Sequence, residues 1–378
     1  MGRSAAHFLC LMRITIDATP LLLRSAGVKN YIYQWLRHLV RLSGRDSILA
    51  FPCFTRIGEL DHEHSMVGAL GTFAGLSLLH SLNWSRLPWM FPHLDLFHAS
   101  HQCQNPPRGA KLTTTIHDMT CWLTPHLHSP ANVARTQWFG ERIMKRADGI
   151  IAVSEHTRRD AVTILGLDPG RVEVIYPGVP GSFFDVTAAD VHSVRERHGL
   201  GRPYVLFLGT IEPRKNVPGL VAAYEQLTPS TRAEYELVVA GPMGWAERGT
   251  RERILAAAGV RYLGYVPEAD IPGLTAGATA LAYPSFYEGF GFPVAQAMAA
   301  GVPVLTSDVS SLPEIAGDAA LLIDPESTAE IRDALERLLT SETLRARLGG
   351  TGRRRAKQFR WEIMARKSLE WFHRVAGC

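Results

Sequence analysis

The stretch Tyr283-Pro-Ser-Phe-Tyr-Glu-Gly-Phe-Gly-Phe-Pro-Val-Ala-Gln-Ala-Met-Ala-Ala-Gly301 sets a carboxylate and two glycines immediately before a short helix opened by proline. An apolar strand, residues 278–282, runs into it. Pro293 falls in the first turn of the helix, and Gly301 stands where a C-terminal cap belongs. The unit is therefore strand, loop, helix, with the loop at the carboxyl end of the strand. Ligands of open α/β sheets bind there, because the loop backbone is free and the next helix offers unpaired N–H groups with positive dipole character. Gly289 and Gly291 let a phosphate approach the backbone, and Glu288 supplies an acceptor for hydroxyl groups. Taken alone, the loop fits a glycine-rich βα turn with a surface Glu equally well.

Outward from this unit, short apolar or β-branched runs recur at intervals that leave room for a helix between them. In the first half they are residues 13–18, 47–53, 94–99, 112–117, 149–154 and 172–176. In the second they are 204–209, 236–241, 260–266, 278–284, 303–307 and 320–323. The pattern predicts an α/β protein with two Rossmann-like halves. Pro177-Gly-Val-Pro-Gly-Ser182, with two prolines and two glycines in six residues, reads as the linker, followed by a charged segment at 191–198. The strand rhythm restarts directly after it, which sets domains at 1–180 and 181–360 and makes the cleft between them the default ligand site.

A chain of 378 residues is too long for one ordinary core and suits two domains. Hydrophobic residues at 46% against 20% charged describe a globular protein rather than a disordered one. A formal charge of +4 is too small to argue for nucleic acid, and none is expected as a partner. Cys10, Cys53, Cys103, Cys121 and Cys378 are odd in number and form no CxxC pair, which points to a reducing compartment and a cytoplasmic protein. Apolar stretches such as 8–12 and 149–153 fall far short of the ~18 residues of a membrane span. The first eleven residues lack the h-region of a signal peptide and read as a short extension before the first strand.

Several side chains stand at the carboxyl ends of predicted strands. In Gly209-Thr-Ile-Glu-Pro-Arg-Lys-Asn216, Arg214 and Lys215 lie side by side where the next helix begins, near 220–226, and together they can neutralise a diphosphate. Surface Arg-Lys pairs are common, so the weight comes from their sharing a half with the Glu288 loop. Thr113-Thr-Thr-Ile-His-Asp118 ends a strand of the first half with His117, able to bond a hydroxyl or assist proton movement. Asp118 beside it can hold the His117 tautomer or contact an acceptor; a buried structural histidine is the competing reading. Gly27 opens the helix at 31–41 and offers a phosphate approach, although the strict GxGxxG fingerprint is absent and a dinucleotide dehydrogenase is disfavoured. Ser154 reads as an N-cap. His93, His98, His101, His126 and His128 show no ligand spacing, and no metal is assigned. An amphipathic helix at 328–348 and a terminal helix at 361–375 are separated by Arg353-Arg-Arg355 and Lys357, a cluster expected on a solvated helix face.

In their order along the chain, these blocks resemble the retaining GT-B glycosyltransferases of family 4. The resemblance also rests on Gly149-Ile-Ile-Ala-Val-Ser-Glu155, Val174-Ile-Tyr-Pro-Gly-Val179 and Gly264-Tyr-Val266, and it spans nearly the whole chain. It implies two Rossmann-like domains facing each other across a cleft, with the first binding the acceptor and the second the nucleotide sugar. The last helix, 361–378, would pack back on the first.

Carried onto these residues, the resemblance makes Arg214 and Lys215 the diphosphate ligands, helped by Gly27 and the backbone of Gly291 and Phe292. Glu288 would bond sugar hydroxyls, His117 would contact the sugar near the reacting carbon, and Tyr265 and Val266 would frame the base. Transfer with retention and without metal or other cofactor is implied. One departure stands at Gln296, where the family pattern has a second Glu for the ribose; Gln keeps an acceptor but loses the charge.

Similarity to mannosyltransferase-like members that build bacterial polysaccharides implies GDP-mannose as donor, ahead of a UDP-hexose, and a glycan or lipid-linked acceptor. Trp84, Arg86, Trp89, Met90 and Phe91 are expected as a peripheral contact with the inner membrane face, though core packing or sugar stacking accounts for them as well. Two alternatives stay open. A catalytically silent GT-B module that binds glycan or a partner would carry Gln296 as its mark, and an epimerase or phosphorylase of the same fold would differ in chemistry.

Overall fold

The computed structural model describes residues 11–22, 27–51, 94–245 and 249–378. The aromatic cluster from Trp84 to Phe91 lies outside the described residues, as do Cys10, Cys53 and His93. The chain divides into two compact units, Met1–Gly178 with Trp361–Cys378, and Val179–Arg360.

The first unit holds a parallel sheet of β1 (Arg13–Asp17), β2 (Ser47–Phe51), β3 (Leu96–Ala99), β4 (Lys111–Ile116), β5 (Gly149–Ala152) and β6 (Val172–Val174), in the order β2-β1-β3-β4-β5-β6 among the described strands. On one side, Phe97, Ile116, Phe139, Ile150 and Leu165 form a continuous buried core. On the other, the helix Gly27–Leu42 packs against the terminal helix Trp361–Ala376. Trp35 Nε1 donates to Ser368 Oγ at 3.0 Å across that contact, and the Trp35 and Phe372 rings lie 6.1 Å apart. His373 Nε2 and Asp46 Oδ2, 2.8 Å apart, tie the end of the terminal helix to the residue before β2. The entry to this helix depends on Gly178, because a Cβ there would lie 2.1 Å from the backbone nitrogen of Trp361.

The second unit holds β7 (Tyr204–Leu208), β8 (Glu236–Ala240), β9 (Val260–Gly264), β10 (Ala280–Tyr283), β11 (Val304–Ser307) and β12 (Ala320–Ile323), all parallel, in the order β12-β11-β10-β7-β8-β9. Read from β7 onward this is the 3-2-1-4-5-6 order of a doubly wound nucleotide-binding sheet, and its order reverses between β7 and β10. Every residue of β7, β8, β10 and β11 is buried, as expected of parallel strands covered on both faces, so these strands appear in the sequence as apolar runs without alternation.

All twelve predicted strands are present within a few residues of their expected ends. Two expectations change. The helix read over 328–348 is two helices, Thr328–Thr340 and Glu342–Ala356. Ser341 between them has φ −114° and ψ 99°, outside the helical region, and its hydroxyl caps the second helix by accepting from Leu344 N at 3.2 Å. The basic cluster therefore sits inside the second helix, and two of its members are not simply solvated. Arg353 donates to Phe184 O at 2.6 Å, and Arg355 to Ile315 O at 2.7 Å and Glu314 O at 2.6 Å. The charged segment at 191–198, which follows the linker, is the greater part of a helix, Ala188–Arg197, opened by a Thr187/Asp190 capping box.

Candidate functional site

In the second unit, the loops after β7 and β10 meet at the point where the strand order reverses. After β7 the chain makes a 3-10 turn, Pro213–Lys215, and enters the helix Val217–Glu225 through Asn216, whose φ of 52° is left-handed. The Asn216 amide holds this turn by donating to Pro325 O at 2.6 Å. After β10 the chain passes Glu288 and enters the helix Phe292–Ala299 through Gly291 at φ 91°, with Pro293 in the first turn and Gly301 at φ 76° beyond the end. At Gly291 a Cβ would come within 2.7 Å of the Leu312 side chain, so backbone conformation and space both call for glycine.

Side chains from the two loops form one buried ionic network. Arg214 reaches Glu212 Oε1 at 2.5 Å, Glu288 Oε2 at 2.7 Å and the Tyr287 carbonyl at 2.7 Å. Lys215 Nζ lies 3.1 Å from Glu288 Oε1, donates to the Tyr283 hydroxyl, and sits 5.0 Å from the centre of the Tyr283 ring. The Tyr283 hydroxyl in turn donates to Glu288 Oε1 at 2.8 Å. Glu212, Lys215 and Glu288 are each less than 9% exposed, and Tyr283 is wholly buried. Two carboxylates thus balance two cations. Burial alone would raise the Glu288 pKa, but Arg214 and Lys215 beside it bring it down to about 2. Desolvation lowers the Lys215 pKa, and the carboxylate of Glu288 works against that shift. Backbone contacts fix Glu288 as well: its N–H donates to Ser310 Oγ at 3.0 Å and its carbonyl accepts from Ser311 Oγ at 2.8 Å.

The remaining predicted residues of this unit divide. Gln296 is half-buried on the helix Phe292–Ala299. Phe292 begins that helix, with its ring edge-on to Phe290 at 5.2 Å. Tyr265 follows β9 and is 62% exposed, whereas the Val266 side chain is buried at 4% and belongs to the core.

In the first unit, His117 and Asp118 follow β4, as expected, and both are half-buried. Their bonds separate them. Asp118 Oδ1 accepts from Thr120 N at 3.0 Å and from Thr120 Oγ1 at 2.6 Å, which shapes the entry to the short helix Thr120–Leu123. His117 meets the Tyr31 ring edge-on at 4.7 Å. Desolvation lowers its pKa to about 4 despite the nearby Asp118 charge, so its imidazole is neutral near pH 7. Gly27 is the first residue of its helix, with no atom within 4 Å of a Cβ placed there.

Sequence reasoning gave no role to Glu212 or Tyr283, although both stand inside the quoted blocks; each completes the ionic network. It also passed over Asp17 and His98, which line a small cavity with Tyr31 and His117. Asp17 accepts from Ser100 Oγ at 2.6 Å and Thr19 Oγ1 at 2.7 Å, and burial raises its pKa. His98 bridges Thr113 and Thr115 at 3.0 and 3.1 Å. A carboxylate at the end of the first strand was the available signal. Among the described residues, no group of three His, Cys, Asp or Glu has the arrangement of a metal site, and no helix is long and apolar enough to cross a membrane.

Residues 166–355 match the family Glycosyl transferases group 1, and residues 25–182 match Glycosyltransferase Family 4. The chain is 36% identical to O-antigen chain mannosyltransferase B of Escherichia coli over 266 residues, 68% of each protein. It is 28% identical over 238 residues to the E. coli serotype-specific mannosyltransferase WbdA, covering 61% of this chain but only 29% of that longer protein. Among solved structures it resembles Anabaena HepE in complex with UDP-glucose, with a TM-score of 0.70 at 18% identity over 96% of this chain and 98% of that one.

Proposed function

This chain belongs to the family 4 glycosyltransferases, and from that premise we propose that it transfers mannose from GDP-mannose, with retention, to a glycan or lipid-linked acceptor during polysaccharide synthesis. The enzyme class follows from the family: it is a glycosyltransferase of the GT-B fold. The choice of mannose is supported by likeness to two mannosyltransferases.

The observation that carries the reading is the Arg214 and Lys215 pair at the point where the second sheet reverses its order, held in place by Glu212, Glu288 and Tyr283. A diphosphate at that point exchanges carboxylate partners for phosphate oxygens, and Arg214 offers the forked geometry that phosphate matches. As the glycosidic bond breaks, negative charge grows on the leaving phosphate. Two cations already oriented there stabilise it without reorganisation, and the phosphate takes the acceptor's proton. Glu288 bonds sugar hydroxyls, His117 approaches the sugar near the reacting carbon, and Asp118 orients the acceptor side. Gly27 and the backbone of Gly291 and Phe292 assist the diphosphate. Tyr265 and the main chain of Val266 frame the base, and Gln296 meets the ribose. With two cations at the diphosphate, the reaction proceeds without metal.

Calorimetric titration with GDP-mannose, UDP-glucose and UDP-N-acetylglucosamine tests the reading. Selective binding of GDP-mannose, lost on Arg214→Ala/Lys215→Ala, is expected. Donor binding unchanged by that double substitution would remove the diphosphate assignment. GDP-mannose bound but never turned over with any glycan acceptor would leave a silent binding module.

A further inference from the structure

A second cavity, of about 500 Å³, lies at the other end of the first unit's sheet. Its wall includes Leu112, the second residue of β4, and Asp148, which precedes β5. It therefore sits at the amino ends of the strands, whereas His117 follows the carboxyl end of β4. Residues 104–110 and the helix Pro130–Arg142 supply most of the rest.

Three guanidinium groups, of Arg108, Arg142 and Arg146, line this space. Among the described residues, none of the three has an acidic partner or an acceptor. Asp148, the carboxylate in the wall, is already engaged by Lys111 Nζ at 3.0 Å and by Leu112 N at 2.9 Å, so it does not neutralise them. Three like charges around one concavity repel one another in the empty state, and a ligand of two negative charges relieves that repulsion. Arginine forks match phosphate oxygens in particular. Beside them the indole of Trp138 is 41% exposed, an apolar flat face within a charged pocket. Such a face accepts the C–H face of a pyranose ring. The volume is ample for a hexose phosphate and far larger than a lone inorganic ion requires.

We propose that this cavity is a second ligand site that binds a phosphate-bearing saccharide, with the phosphate on Arg108, Arg142 and Arg146 and the sugar ring on Trp138. A free sugar phosphate brings the dianion, and a polyol lipid headgroup offers the same phosphate oxygens and hydroxyls as a monoanionic diester. The site is separate from the Arg214 and Lys215 pair, which lies in the other unit, and from His117, which follows the opposite end of β4.

The full chain is titrated with glucose 6-phosphate, and with glucose as the neutral control, by tryptophan fluorescence and by calorimetry. In parallel it is sedimented with phosphatidylglycerol and phosphatidylcholine vesicles. Saturable binding of glucose 6-phosphate with a Kd of about 1 mM or tighter is expected. Arg142→Ala/Arg146→Ala should weaken it about tenfold or more, and Trp138→Phe should remove the fluorescence change. Sedimentation with phosphatidylglycerol that glucose 6-phosphate competes away and the double substitution abolishes would support the site with the lipid headgroup as its source. Binding of glucose 6-phosphate that is equal in the parent and the double variant would overturn the proposal. So would the absence of saturable binding together with vesicle sedimentation indifferent to the two arginines.

Discussion

The phenol of Tyr283 donates to Glu288 Oε1 at 2.8 Å while its oxygen accepts from the Lys215 ammonium, so a single buried hydroxyl joins the acid of one loop to a cation of the other. Its ring stacks on Phe207 of the neighbouring strand at 5.8 Å between centres, which fixes where the hydroxyl stands. Tyr283→Phe keeps the ring and removes the link. A buried lysine then loses an acceptor and a buried carboxylate loses a donor. The expected cost is about 1–3 kcal/mol of stability, read from the urea midpoint at unchanged m-value. Donor affinity should fall together with stability, because Lys215 is no longer aimed. A variant with parental stability and parental donor affinity would show that the hydroxyl positions nothing.

Acid should loosen the first unit before it touches the second. Desolvation lowers the pKa of His98 to about 3, of His101 to about 3 and of His117 to about 4. The unfolded chain takes up protons on these three near pH 6.5, so between about pH 6.5 and pH 4 it binds more protons than the native state and stability falls as pH falls. Asp17, raised by burial, has the opposite sign and offsets part of this as pH drops toward its own titration. Glu288 contributes stability that is present above the unfolded value near 4.5 and is lost only as pH falls toward about 2. Hydrogen exchange at pH 5 should therefore show opening around β3 and β4 while β7 and β10 remain protected. Equal loss of protection in both sheets at pH 5 would contradict the assignment.

Two glycines separate conformational need from chemical use. At Gly241, φ is 140° and a Cβ would lie 2.0 Å from Gly209 O, an overlap between backbones at the carboxyl ends of β8 and β7 that no side-chain movement relieves. Gly241→Ala should cost about 3 kcal/mol or more and displace the 209–216 loop. Gly27 has open space around it and starts a helix, so Gly27→Ala should unfold at the same denaturant concentration as the parent. Weaker donor binding by Gly27→Ala, without loss of stability, is the result expected if its backbone approaches the phosphate.

The strands and the two glycine-marked loops were legible because each obeys a local rule. A parallel strand covered on both faces must be apolar throughout, and a loop followed by Pro293 and closed by Gly301 has few other conformations. Adjacency was not legible. Glu212 and Tyr283 stand 71 positions apart, and nothing near either residue says that both serve Lys215; only the β7 to β10 pairing brings them together. For the same reason the solvated face expected at 353–355 gave no sign that Arg353 and Arg355 also reach carbonyls from 184, 314 and 315, although Arg353, Arg354 and Lys357 are exposed as expected. The bond from Thr120 to Asp118 is local and still went unread, because a hydroxyl two residues on is a weaker signal than the histidine beside it.

Gln296 gives the sharpest test of the donor site, since it is where this chain departs from the pattern it otherwise follows. Its side chain is half-buried on the second turn of the helix Phe292–Ala299 and makes no hydrogen bond among the described residues, so the amide is spare rather than structural. Gln296→Glu changes no volume and frees no partner, and the folded protein should unfold at nearly the same denaturant concentration. If the side chain meets the ribose, the carboxylate turns a neutral acceptor into a charge-assisted one, and nucleotide binding should tighten about fivefold to tenfold. The gain should appear for the nucleotide diphosphate alone as well as for the nucleotide sugar, because the contact is made to the part they share. Tightening confined to the sugar nucleotide would place Gln296 at the hexose instead, and unchanged affinity for both would take it out of the donor site.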